Sequence, residues 1–141
     1  MKYLLDTCVI SELIKPSPEP CVIKWIKPLD DSICFLSVLT LGELQKGIAK
    51  LPDSKKKSAL QAWLEDDLRA RFNDRILNVT PTIAELWGQI QGNAEKNGKK
   101  LPLIDSLIAA TAINHHLVVA TRNTTDMKNT GVHLFDPWQY S

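Results

Sequence analysis

The chain starts with a short apolar run that ends directly on a carboxylate, Tyr3-Leu4-Leu5-Asp6-Thr7. Such a run reads as a buried strand. An Asp at its carboxyl end stands on the edge where open α/β sheets bind ligands. Removing a carboxylate from water costs several kcal/mol unless a partner compensates it, and a metal ion is one such partner. The rest of the chain is therefore constrained by whether other carboxylates return to this edge.

Apolar periodicity then alternates between helix and strand. Val9 to Lys15 places Val9, Ile10, Leu13 and Ile14 at helical spacing, and Pro16, Pro18 and Pro20 end the helix. Cys21 to Ile26 predicts a second short helix, stopped by Pro28. Ile33 to Ser37 predicts a second buried strand. Thr40 with Glu43 three residues on matches a capping box for the next helix. Asp53 or Ser54 caps a long helix through Phe72, and Ile76 to Val79 predicts a short strand. Thr80-Pro81 starts a helix that Asn97-Gly98 closes. After Pro102, a helix begins near Ile104-Asp105. Leu117 to Thr121 is a clear strand, Asn123 to Gly131 is polar and loop-like, and Val132 to Phe135 is a last short strand. Strands alternating with helices predict a three-layer α/β/α fold with a central, mainly parallel sheet.

The 141 residues suit one domain over 1–141, with 44% hydrophobic and 23% charged residues. No apolar stretch approaches the roughly 18 residues of a membrane helix, and no secretory signal pattern opens the chain, so the expected location is cytoplasmic. Three cysteines (Cys8, Cys21 and Cys34) argue against a disulfide framework. His115, His116 and His133 do not stand at zinc-ligand spacing with them. The net charge of +1 announces no nucleic-acid partner. Basic residues do cluster at Lys55 to Lys57, at Arg69, Arg71 and Arg75, and at Lys96, Lys99 and Lys100. Each cluster is either a solvated face or a nucleic-acid contact.

Four acidic residues fall near one predicted edge. Asp6 follows the first strand, Glu43 lies early in the helix after the second, and Asp126 follows the Leu117–Thr121 strand. Asp105 precedes its strand and reaches the edge only if its helix begins there. Taken singly, Glu43 reads equally as a capping acid, Asp105 as a helix-dipole partner and Asp126 as a turn former. No capping duty accounts for Asp6. Several carboxylates within a few ångströms repel one another and take up protons unless a divalent cation relieves them. Oxygen ligands without His or Cys suit Mg²⁺ or Mn²⁺.

With these residues in view, the chain resembles PIN-domain ribonucleases, and among them the VapC/FitB-like toxins of type II toxin–antitoxin systems. The resemblance runs through Leu4 to Glu12, Leu36 to Leu44 with Gly47, Asp105 to Ala112, and Val119 to Asn123 with Asp126. One departure is Cys8, where the family usually carries Asn. The resemblance implies a PIN-like α/β/α fold and a Mg²⁺-dependent (or Mn²⁺-dependent) endoribonuclease that leaves 5′-phosphate and 3′-hydroxyl ends on RNA. It implies Asp6 and Asp105 as main metal ligands and Glu43 as ligand or water-orienting group, with Asp126 or Asn123 completing the set. Thr7, Ser37, Thr121 and Arg122 would position phosphate or water. It further implies a homodimer and a cognate VapB-like antitoxin that forms a toxin–antitoxin hetero-oligomer. Competing classes are a metal-dependent nuclease acting on DNA, a non-catalytic PIN-like nucleic-acid-binding module, and a phosphoacceptor signalling domain. The last needs a further acidic pair at the first strand, which is missing here.

Overall fold

The computed structural model describes residues 1–141. Five strands, β1 (Tyr3–Leu5), β2 (Cys34–Ser37), β3 (Ile76–Leu77), β4 (Val118–Ala120) and β5 (Leu134–Phe135), form one sheet in the order β3-β2-β1-β4-β5. Every pairing is parallel, so the sheet expected to be mainly parallel is wholly so. From β1 the chain steps outward through β2 to β3, then returns to lay β4 on the other side of β1. The switch point of this doubly wound order therefore lies between the carboxyl ends of β1 and β4, where such sheets open a crevice.

The helices are α1 (Thr7–Leu13), α2 (Pro20–Ile26), α3 (Val38–Ala49), α4 (Lys55–Ala62), α5 (Arg69–Arg71), α6 (Pro81–Lys96), α7 (Leu103–Asn114) and α8 (Thr124–Met127). Alternate strand residues point to opposite faces and split the core in two. Leu5, Cys34 and Leu36 join Val9, Ile10, Trp25, Leu44, Ile48, Leu64, Leu68 and Phe72 on one face. Leu4 and Val119 join Ile108, Ala109, Ala112, Leu117 and Met127 on the other. The sheet thus lies between two helical layers, the three-layer arrangement expected.

Local details depart from the pattern reading in four places. The first helix begins at Thr7, and Asp6 is its N-cap, accepting from the Thr7 N–H at 2.8 Å. Asp6 therefore has the capping duty that the pattern did not reveal. Thr40 does not cap α3. The strand runs into the helix without a loop, so extended Ser37 is the cap, its hydroxyl accepting from Leu39 N at 3.0 Å, while Thr40 is fully buried in the first turn. The long helix after Ser54 is π-helical from Trp63 to Leu68 between α4 and α5. The segment expected to be a loop after Asn123 instead forms α8 and a 3₁₀ turn, Lys128–Thr130, anchored by fully buried Met127. The close of α6 is as expected, with Gly98 at φ 76° just past Asn97.

Candidate active site at the sheet switch point

Asp6 sits where β1 turns into α1 and is 3% exposed. Its backbone N–H donates to the Ala120 carbonyl at 3.0 Å, continuing the β1–β4 ladder one residue past the strand. Its side chain is held on both oxygens. Oδ1 accepts from Thr7 N, and Oδ2 accepts from the Thr121 hydroxyl at 2.7 Å. The fully buried Thr121 hydroxyl in turn accepts from Asn123 N at 2.9 Å. Hydrogen-bonded relays of this kind strengthen one another in a low-dielectric site. Cys8 joins the group, its Sγ 3.8 Å from Asp6 Oδ2 and 3.6 Å from Thr121 Oγ1. Burial, then the Asp6 charge, pushes the Cys8 thiol pKa up, so it remains a neutral donor.

Glu43 reaches the same corner from the second turn of α3. Thr7 Oγ1 donates to Glu43 Oε1 at 2.5 Å and lies 3.2 Å from Thr40 Oγ1. Asp105 arrives from the first turn of α7, which begins at this edge of the sheet, as the expectation for this residue required. No hydrogen bond reaches its carboxylate. Its pKa is raised to about 6, first by burial and then by the charges of Asp6, Asp126 and Glu43. The charges of acidic side chains from three other segments thus reach Asp105, that of exposed Asp126 on α8 included. No three of these four carboxylates close to the spacing of a metal cage. The donor set is nevertheless wholly oxygen, and its repulsion is of the kind that a hard divalent cation relieves.

The PIN domain family matches residues 3–132. The chain belongs to the PIN-domain family. It is 40% identical over 135 residues to Toxin FitB of Neisseria gonorrhoeae, a match covering 96% of this chain and 97% of that protein. It is 33% identical over 136 residues to VapC ribonuclease Y4jK of Sinorhizobium fredii, covering 96% and 97%. The crystal structure of FitAcB from Neisseria gonorrhoeae overlays with a TM-score of 0.92 at 39% identity, covering 97% of this chain and 99% of that one.

The remaining expected residues of the PIN site divide by position. Asn123 is exposed and enters the network through its backbone N–H. Ser37 Oγ is buried and caps α3. Arg122 projects over the Trp138 ring, 4.1 Å from its centroid, with Nη2 4.0 Å from Glu12. Glu12, one of the motif residues, was given no role by sequence reasoning, yet it is 5% exposed. Its carboxyl is held below the usual range by hydrogen bonds from Lys15 and the Glu19 backbone. An acidic residue on the buried stripe of α1, one turn after Val9, is the signal that could have flagged it. Two basic residues flagged in the sequence knit the fold. Arg71 pairs with Asp31 at 3.3 Å, and Arg75 donates to the backbone carbonyls of Asp31, Cys34 and Arg71. No helix is long and apolar enough to cross a membrane.

Proposed function

We propose that the chain is the toxin of a type II toxin–antitoxin pair, one PIN domain acting as a divalent-metal-dependent endoribonuclease. The observation that carries the reading is the gathering of Asp6, Glu43 and Asp126 about Asp105 near the β1–β4 switch point, with Asp105 raised to about pKa 6 first by burial and then by their charges. Relatives named as a toxin and as a ribonuclease support it.

Asp6, Asp105 and Glu43 would hold a Mg²⁺ or Mn²⁺ ion, with Asp126 completing the set and Asn123 as the competing fourth group. When bound, the ion acidifies an attacking water and offsets charge on the scissile phosphate, leaving 5′-phosphate and 3′-hydroxyl ends. The protein's own contribution is to hold these groups ready. Thr121 and Thr7 N orient Asp6, Thr7 Oγ1 orients Glu43, and Ser37 starts the helix that carries Glu43. Thr7, at the mouth of the corner, is placed to orient water or phosphate. Arg122, half exposed beside the site, offers its outer edge to an RNA phosphate. The RNA is single-stranded or looped, because unpaired bases can be splayed out and read. The protein works as a homodimer in the cytoplasm. A VapB-like antitoxin restrains it, with a basic side chain directed at the carboxylates.

Cellular RNA is incubated with the wild-type chain, Asp6→Asn and Asp105→Asn, with Mg²⁺, Mn²⁺ or EDTA, and the new ends are mapped. Cleavage confined to wild type with metal, bearing 5′-phosphates, is the expected result. Cleavage that survives both substitutions overturns it. Preferential cutting of a single-stranded DNA oligonucleotide over the RNA of the same sequence transfers the same site to DNA.

A further inference from the structure

Glu43 borders two grooves that run along opposite sides of α3, and they differ in chemistry. One, of about 260 Å³, is lined by Ile14, Leu44, Ile48, Leu60 and Trp63, with Lys56 at its rim. The other, of about 520 Å³, leads from Glu43 past Gly42 and Gly47 to Lys46 and Lys50, with Val38, Leu39 and Ile104 as its walls. Ile104 is the residue before Asp105, so the second groove starts at the carboxylates. We propose that this second groove is a subsite for the RNA backbone, in which Lys46 and Lys50 bind two phosphates outside the scissile one. The inference rests on the ribonuclease reading above.

Geometry, charge and space support it. Glu43 and Lys46 of α3 and Lys50, its C-cap, stand at helical spacing on one stripe. Four residues advance a helix by about 6 Å, a stride close to that between successive backbone phosphates. Gly42 and Gly47 have open space where a side chain would stand, so a sugar-phosphate chain can approach the helix closely. Neither lysine makes an ion pair or a side-chain hydrogen bond, and both are exposed. Several other cations are engaged within the fold. Lys15 pairs with Glu12, Lys57 pairs with Asp53 and donates to Leu51 O, Arg71 pairs with Asp31, and Arg122 lies on Trp138. A site built of carboxylates repels RNA. Two unpaired ammonium groups leading to it are the compensation that an anionic polymer needs.

The test measures binding of a fluorescein-labelled single-stranded RNA oligonucleotide of mixed sequence across a series of NaCl concentrations, in Asp105→Asn so that the RNA stays intact. Lys46→Ala/Lys50→Ala should lower the slope of log K against log salt by about 1.4, at about 0.7 per lost phosphate contact. Lys46→Arg/Lys50→Arg should restore it. Lys2→Ala/Lys27→Ala, which removes two charges from segments preceding β1 and β2, should keep the parent slope. In the otherwise native chain, the alanine pair should raise KM for RNA cleavage with kcat unchanged. An unchanged slope and KM overturn the proposal. So does a change in oligomeric state on gel filtration, which would make this face a contact between copies. RNA binding with the expected slope, but no cleavage by wild type with metal, sinks the nuclease reading and leaves the groove standing.

Discussion

Asp6 and Asp105 reach the same crevice, and the protein treats them differently. At the β1–α1 corner, Asp6 accepts from Thr7 N, Thr121 Oγ1 and the Cys8 thiol, and is almost wholly buried. In the first turn of α7, Asp105 accepts no hydrogen bond and is held by helix packing alone. Ala109 and Ala112 seat α7 closely against the sheet, and Trp87 of α6 donates to Ser106 beside it at 2.9 Å. The first carboxylate is part of the fold's own hydrogen-bonded structure. The second is an unsatisfied charge kept next to three others. Asp6 is thereby preorganised, whereas Asp105 leaves both oxygens free for a ligand and destabilises the unliganded fold.

The contrast breaks first on activity, where the two residues should look alike. Asp6→Asn and Asp105→Asn should each lower RNA cleavage by at least about 10³-fold, a barrier increase of about 4 kcal/mol, measured with metal in excess. A variant of either that keeps wild-type rates removes the residue from the chemistry. The next largest effect should separate the two regions. Thr121→Val leaves Asp6 Oδ2 without its main donor in a buried site, a loss of about 1–3 kcal/mol that should show as a lower Tm and slower cleavage together. Normal stability in that variant would mean the corner is not a structural unit.

Asp105→Asn should move stability the other way. The native pKa of about 6 lies above the ordinary 3.8, so between those values the native state keeps a proton that the unfolded chain has released. That contribution is complete below about pH 4 and lost as pH rises through about 6. The nominal size, about 3 kcal/mol for two pK units, shrinks to about 1 kcal/mol once solvent screening of a half-exposed group is counted. In EDTA at pH 7.5, Asp105→Asn should therefore melt a few degrees above wild type, and the gap should close by pH 4. A gap of the same size at both values would trace the effect to packing and not to charge. The smallest effect is expected at Cys8, whose thiol is a long, weak donor. Cys8→Ser should change Tm by under about 0.5 kcal/mol equivalent and keep cleavage within a few-fold. A large loss would promote Cys8 to a main support of Asp6.

How much of this was legible in the sequence differs residue by residue. The strand ending in Asp6, the strand ending in Ser37 and the apolar Leu117–Thr121 run were readable because buried strands leave continuous apolar runs. The close of α6 was readable because Gly98 takes a backbone conformation that Gly reaches without strain. The capping box at Thr40 was misplaced by three residues. The T-x-x-E pattern is local, whereas the true start of α3 depends on where β2 stops pairing with β3 at Ser37. The segment after Asn123 looked like a loop because its four-residue helix is too short for periodicity and is held by one buried side chain, Met127.

The sequence by itself therefore determined the alternation of elements, the parallel sheet and the presence of carboxylates beside element ends, since these follow from side-chain polarity along a few consecutive residues. Only the tertiary structure decided that α7 begins at the β1–β4 switch point, that Thr121 clasps Asp6 across 115 residues of chain, and that Lys46 and Lys50 stand unpaired on a groove that borders Glu43. The reason is physical. Where a helix starts in space depends on the crossovers and core contacts of the whole chain, and whether a charge is free depends on neighbours that no local pattern records.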